Sequence, residues 1–179
     1  MIYHIISIIQ QIWIIEVSKR LIELKAMISY MASCSQADFA SEKAGVKLTP
    51  KRKSILALLL ASDIPLSAYE LADQFKSACG QSIPPMSVYR MLDFLTENNL
   101  AHKLTSENKF VSCAHSTCSH VHEVPQFLIC EQCHQVKEVG IKKDIFEALK
   151  SSVEQAGFSL KQSQLELKCL CADCAKAIN

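Results

Sequence analysis

Apolar side chains in the first half of the chain recur at intervals of three and four residues, which is the spacing of one face of an α-helix. Thr49 and Pro50 suit the cap and the first position of one helix. Ser67, followed three residues later by Glu70, forms a capping box for a second. A proline pair at 84–85 precedes the third apolar stripe. The pattern therefore predicts three short, closely spaced helices.

Two strand-like pieces follow, Leu100 to Leu104 and Phe110 to Cys113, around a polar turn. Three helices and then a hairpin are typical of a winged helix-turn-helix, whose third helix enters the DNA major groove. In that arrangement Arg90 can reach a guanine edge, although a solvated surface arginine fits the pattern equally well. Ser87 also lies on the outward face of this helix. The residues expected near DNA phosphates are Lys51, Arg52, Lys53, Tyr69 and Lys103.

The second half alternates strand and helix patterns. Strands are predicted at Phe127–Ile129, Val136–Val139 and Phe158–Leu167, with an amphipathic helix over Lys142–Ala156. The fold class is therefore α+β: an N-terminal winged-helix DNA-binding domain followed by a small α/β domain.

Two C-x-x-C units each close a strand of this second domain: Cys130 with Cys133, and Cys171 with Cys174. Four cysteines in two such knuckles are a strong signal for a tetrahedral structural zinc site. A redox C-x-x-C is the alternative, but it would leave the second pair unexplained.

The chain has 179 residues, 49% hydrophobic and 21% charged, with a net charge of +1, nine Cys and six His. These values indicate one or two small globular domains and argue against a disordered chain or a strongly basic nucleic-acid coat. Reduced, metal-binding cysteines in a cytoplasmic protein are the favoured interpretation.

The apolar run at Ile2–Ile15 is too short to span a bilayer and lacks the basic leading segment of a signal peptide. We expect no membrane association. Residues 1–30 are expected to be either an upstream extension of the reading frame, with Met27 or Met31 as the true start, or an added apolar helix.

Soft or borderline metal ligands are dense between the two domains. They are His102, Cys113, His115, Cys118, His120, His122 and Glu138. Such a density predicts a metal that clamps the second domain against the first. A nucleobase deaminase would need H-x-E and P-C-x-x-C, and neither occurs, so we predict no enzyme. A purely zinc-scaffolded interaction module would leave the helix-turn-helix without a purpose.

Several of these motifs together carry a family resemblance, in unbroken order from about Asp38 to Ala175. They are Leu48-Thr49-Pro50, Ser67-Ala68-Tyr69-Glu70-Leu71, Ser87 to Leu95, His102-Lys103, Phe127 to Cys133 and Leu170 to Cys174. The chain thereby resembles the ferric-uptake-regulator (Fur) superfamily, most closely its zinc-uptake-regulator (Zur) branch. The resemblance implies a homodimeric bacterial repressor that binds double-stranded operator DNA and controls zinc-uptake genes. It also implies two Zn²⁺ per chain, one structural and one exchangeable.

The resemblance also implies roles for individual residues. The implied ligands of the structural zinc are Cys130, Cys133, Cys171 and Cys174. The implied ligands of the sensing zinc are His102, Cys113, His122 and Glu138. Because Glu123 occupies the position of the family's usual sensing histidine, His120 stays an alternative to His122, and His115 a more distant one. Tyr69 and Arg90 match DNA-contacting residues, and Asp73 with Lys76 matches a pair through which two dimers can lie side by side on one operator.

A thiolate beside imidazoles and a carboxylate suits zinc, whereas an iron sensor would favour harder ligands. An iron, nickel or peroxide sensor of the same superfamily is the alternative. The expected division is an extension at 1–30, the winged-helix domain at 38–116, a ligand-bearing hinge at 117–124 and the dimerisation domain at 125–179. No role is predicted for Cys34, Cys79, Cys118 or Cys169.

Overall fold

A computed structural model describes residues 2–114, 124–161 and 163–178. Its elements in chain order are α1 (Ile2–Lys43), α2 (Pro50–Leu60), α3 (Ala68–Cys79), α4 (Pro85–Glu97), β1 (Ala101–Leu104), β2 (Lys109–Ser112), β3 (Val124–Cys130), β4 (Val136–Ile141), α5 (Lys143–Gln155), β5 (Leu165–Cys169) and α6 (Ala172–Ile178). No helix within the described ranges is both long and apolar enough to cross a membrane.

The predicted capping box of α3 is confirmed. The Glu70 backbone N–H donates to Ser67 Oγ at 3.2 Å, and the Ser67 N–H donates to Glu70 Oε2 at 2.7 Å. The N–H of Ser67, and then the ammonium of Lys109, hold the pKa of Glu70 below its usual value. The helix ends at Gly80, whose φ of 68° lies in the left-handed region that glycine adopts without strain.

Helices α2, α3 and α4 surround one apolar core. Its fully buried members include Ile55, Leu56, Leu71, Val88, Leu92, Leu95 and Leu100. The hairpin β1–β2, called the wing below, pairs Ala101 with Ser112 and Leu104 with Lys109. Phe110 joins the wing to the core, since its backbone bridges Leu66 ahead of α3. The predicted winged helix is confirmed.

Helix α1 packs on this core earlier in the chain than the sequence pattern indicated. Ala37 and Ala40 are fully buried, and Tyr30 and Cys34 pack partly buried against the same cluster. Tyr30 Oη lies 3.5 Å from the Sγ of Cys79 at the end of α3. The packed region therefore begins before position 38, where the domain was expected to start.

The second domain is a three-stranded sheet in the order β4-β3-β5, in which β3 pairs antiparallel with β4 and parallel with β5. Helix α5 lies in the connection between β4 and β5. The third strand begins at Leu165, not at the predicted Phe158, whose side chain is 74% exposed. No residue of α5 is buried, although the whole helix is described.

The two domains meet through a small apolar cluster. Leu104 of the wing packs with Phe127 and Ile129 of β3, and all three are at most 2% exposed. Val111 and Val136 flank these residues. We call Leu104, Phe127 and Ile129 the interdomain cluster.

Candidate metal and nucleic-acid sites

The four knuckle cysteines come together at one end of the sheet. Cys130 ends β3, Cys133 lies in the turn that follows, Cys171 follows β5 and Cys174 lies in α6. The sulfur atoms all lie within 4.8 Å of one another, and the Sγ atoms of Cys133 and Cys171 are 3.7 Å apart. Zinc–sulfur bonds of about 2.3 Å would place the sulfurs of a tetrahedral site about 3.8 Å apart. The donors therefore fit a zinc ion.

Protonation of these thiols is uneven. Hydrogen bonds from the backbone N–H groups of Cys133, Cys171 and Gln132 lower the pKa of Cys130 to about 6. Hydrogen bonding to Cys171 raises the pKa of Cys174 to about 12. One thiolate is stabilised by backbone dipoles while further ionisation beside it is penalised, so a cation is needed for all four to ionise.

A second cluster lies where the wing meets the sheet. His102 of β1, Cys113 just after β2 and Glu138 of β4 offer ligand atoms that all lie within 4.8 Å of one another. His102 Nε2 is 3.7 Å from Glu138 Oε1, and the Glu138 side chain is only 5% exposed. A buried carboxylate beside an imidazole and a thiol is a donor set that zinc accepts.

The position of Glu138 is set by two contacts. Its Oε2 accepts a hydrogen bond from the backbone N–H of Ala114 at 2.8 Å, and its backbone pairs with Phe127 in the sheet. The His102 ring lies 5.1 Å from the Phe127 ring. Three of the predicted sensing ligands are thus brought together across the domain boundary. The remaining candidates lie outside the described residues, as does most of the predicted hinge: His115, Cys118, His120 and His122.

The predicted DNA-reading residues lie on the solvent side of the winged helix. Arg90 of α4 is exposed, Ser87 one turn earlier is half-buried, and Tyr69 at the start of α3 is 63% exposed. The opposite face of α4 enters the core through Val88, which is fully buried. Helix α4 therefore presents Arg90 to solvent, together with the exposed side chain of Met86.

The predicted phosphate contacts differ in their surroundings. Lys51 is exposed at the start of α2. Arg52, by contrast, places its guanidinium 3.6 Å from the centroid of the Phe94 ring, in a cation–π contact that joins α2 to α4. Lys53 forms an ion pair with Asp38. Arg52 and Lys53 thus make contacts within the domain that charge patterning did not indicate.

The remaining predicted residues are also located. Asp73 and Lys76 are both exposed on α3, one turn apart. Cys34 and Cys79 are half-buried against the winged-helix core. Cys169 lies in β5 with its Sγ 3.6 Å from the carbonyl oxygen of Ile129.

Sequence reasoning missed the contacts that β5 and the residue just before it make with the wing. Gln164 and Glu166 hydrogen-bond to the end of β1 and to the turn after it. No short spacing motif signals such contacts, because they join positions about sixty residues apart in the chain.

The fold and the two ligand clusters define a winged-helix protein with a candidate metal site in its second domain and another between its domains. The chain belongs to the ferric uptake regulator family, whose model matches residues 43–168.

Known relatives agree with this assignment. The zinc uptake regulation protein of Escherichia coli (strain K12) is 37% identical over 144 residues, which cover 79% of this chain and 81% of that one. The peroxide operon regulator of Bacillus subtilis (strain 168) is 30% identical over 142 residues, 77% of this chain and 90% of that one. A solved zinc uptake regulator in complex with zinc and DNA superposes with a TM-score of 0.67 at 31% identity, covering 84% of this chain and 97% of that one.

Proposed function

We propose that the chain is a zinc-sensing transcriptional repressor, which binds operator DNA as a zinc-loaded homodimer and represses zinc-uptake genes in the cytoplasm. The observation that carries the proposal is the cluster of His102, Cys113 and Glu138 at the domain boundary. These ligands belong to the wing on one side and to the sheet on the other. Their joint occupation holds the winged helix in one orientation against the second domain.

The two clusters have different tasks in this account. Cys130, Cys133, Cys171 and Cys174 hold a structural zinc, because all four lie in the second domain and tie β3 to β5 and α6. His102, Cys113 and Glu138 hold the sensing ion, with His122 as the proposed fourth ligand and His120 as its alternative. A zinc ion held by these side chains would link the wing to β4 and so join the two domains. Each chain thus binds two Zn²⁺.

Zinc is favoured over the other signals of the family by the donor set. Cys113 is 3% exposed, and a buried thiol among the ligands favours a borderline-soft metal such as zinc. The identity to the E. coli zinc regulator, 37% against 30% for the peroxide regulator, supports the same choice. A peroxide, iron or nickel sensor is the second candidate, because the peroxide regulator also matches most of the chain.

Recognition of DNA falls to α4 and the start of α3. Arg90 is proposed to hydrogen-bond to a base edge, with Ser87 and Tyr69 beside it and Lys51 and Arg52 near phosphates. The solved relative in complex with DNA supports this use of the fold.

The second domain is proposed to mediate dimerisation. Its large exposed apolar side chains include Ile145, Leu149, Phe158, Leu167 and Leu170. Exposed apolar side chains in such number on a small domain mark an interaction surface. Asp73 and Lys76 are proposed to link two dimers side by side on one operator.

DNase footprinting on the promoters of zinc-uptake genes from the organism that encodes this protein tests the proposal. Protection should appear with zinc and disappear with a chelator. Iron, nickel and peroxide treatments serve as comparison arms, and the absorption of the cobalt-substituted protein tests for thiolate ligation at the sensing site. Protection that follows iron or peroxide and ignores zinc would select the second candidate.

A further inference from the structure

The turn of the wing is held by two side chains, Glu166 of β5 and Gln164 just before that strand. The Glu166 carboxylate accepts hydrogen bonds from the backbone N–H of Thr105 at 2.7 Å and from that of Ser106 at 2.9 Å. Gln164 Nε2 donates to the carbonyl oxygen of Lys103 at 2.9 Å and to Glu166 Oε1 at 3.2 Å. We call Gln164 and Glu166 the wing clasp.

The register of the sheet relates the clasp to the sensing cluster. Phe127 on β3 pairs with Glu138 on β4 and with Glu166 on β5. Residues paired across neighbouring strands project to the same face of a sheet. Glu138, Phe127 and Glu166 therefore form one row across the face that meets the wing.

The wing meets each member of this row at a different point. At one edge, His102 and the backbone N–H of Ala114 contact Glu138. In the middle, Leu104 packs on Phe127. At the other edge, the turn of the wing hydrogen-bonds to Glu166. The wing is thus attached at both edges of the sheet, with an apolar contact between the two attachments. A single attachment would leave the winged helix free to rotate, whereas two attachments define its orientation.

The chemistry of the clasp suits a firm contact. Two successive backbone N–H groups converge on one carboxylate, and hydrogen bonds to a charged acceptor are about twice as strong as neutral ones. Partial burial acts to raise the pKa of Glu166, but the donors of Ser106, Thr105 and Gln164 outweigh burial and hold the pKa below its usual value. The side chain is therefore ionised at neutral pH.

We propose that Glu166, oriented by Gln164, is a positioning residue for the metal switch: it fixes the wing against the sheet so that the sensing ligands converge and the reading helix takes its DNA-binding pose. The inference rests on the proposed function and adds a metal-independent part to it. The clasp lowers the free-energy cost of closing, so less zinc is required to populate the closed dimer.

Operator binding of the full-length dimer, titrated with buffered free zinc, tests the role in regulation. Glu166→Ala should raise the free zinc needed for half-maximal binding by about tenfold, a typical size for coupling between sites. Glu166→Gln keeps one acceptor oxygen without the charge and should fall between this variant and wild type. Glu154→Ala removes a glutamate on α5 that is exposed and should match wild type. Dimer content and the zinc of the four-cysteine site should be the same in all four proteins.

Hydrogen exchange of the Thr105 and Ser106 amides tests the contact itself, apart from DNA. These amides should exchange about tenfold faster in Glu166→Ala than in wild type, with exchange in α2 unchanged. Wild-type exchange rates at both amides, or an unchanged zinc midpoint in Glu166→Ala, would overturn the proposal. Zinc-independent DNA binding by the wild-type protein would refute the proposed function, and with it the role of the clasp in the switch. A zinc-dependent wild type with an unchanged midpoint in Glu166→Ala would refute the role of the clasp alone.

Discussion

Truncation of Leu104 to alanine separates the closing of the two domains from the stability of either one. Leu104 is fully buried, and the two residues it packs with in the interdomain cluster, Phe127 and Ile129, belong to the second domain. The substitution removes about three methyl or methylene-sized groups, and burying each such group contributes about 0.8 kcal/mol of stability. Since these partners are met only in the closed arrangement, most of the loss falls on that state.

A loss of about 2 kcal/mol corresponds to a roughly 30-fold smaller closing constant. The zinc needed for half-maximal operator binding should therefore rise by up to about 30-fold, because zinc must supply the missing free energy. The assay is fluorescence anisotropy of labelled operator DNA in zinc buffers, with thermal unfolding of the same samples.

Leu56→Ala is the matched control. Leu56 is fully buried in the winged-helix core, so its truncation should cost about 2–5 kcal/mol of that domain's stability and lower its unfolding temperature. The zinc midpoint of the folded protein should stay at the wild-type value. If Leu104→Ala behaved as Leu56→Ala does, with lower stability and an unchanged zinc midpoint, the wing would not be coupled to the sheet through this cluster.

Three further predictions concern the metal sites, the reading helix and the N-terminal segment. Cys130→Ser should lose fold and dimer together, since structural zinc binding is also folding free energy; Cys113→Ser should keep the dimer and one zinc per chain but lose zinc-dependent DNA binding, because its hydroxyl stays protonated. Metal analysis and size-exclusion chromatography check both, and two zincs per chain in Cys113→Ser would contradict the assignment. Arg90→Ala should weaken operator binding by about 1–3 kcal/mol and relax base preference, whereas Lys51→Ala should weaken all sequences alike and flatten the salt dependence by about one unit; equal effects on operator and random DNA in gel shifts would mean that Arg90 does not read bases. Deleting residues 1–26 should leave thermal unfolding and zinc-dependent binding unchanged, because Tyr30 is the first of the described side chains to pack on the core; loss of either property would show that the segment is part of the working protein.

Local chemistry made much of the winged helix predictable. The capping box of Ser67 and Glu70 is determined by neighbours within a few residues, and it occurs as predicted. The four-cysteine cluster was equally accessible, because each C-x-x-C unit is a local motif and zinc chemistry supplies the reason to join the two.

Contacts between distant segments were harder to foresee. Tyr30 meets Cys79 across 49 positions, so the start of the packed region could not be read from the apolar pattern around residue 38. The third strand begins at Leu165, where its parallel pairing with Gln126 of β3 starts. Pairing with a strand about forty positions away leaves no signal in local propensity. Arg52 is a further example: its charge suggested a contact with DNA phosphate, but its guanidinium stacks on the Phe94 ring within the domain.

Zinc affinity of the sensing site, measured by competition with a fluorescent chelator in the presence and absence of operator DNA, tests the central claim most directly. Linkage requires that operator DNA tighten this site by the same factor by which zinc tightens operator binding. Equal factors of about 5- to 150-fold are expected, confined to the second zinc of each chain and absent in Cys113→Ser. A zinc affinity that is the same with and without operator DNA would contradict the central claim.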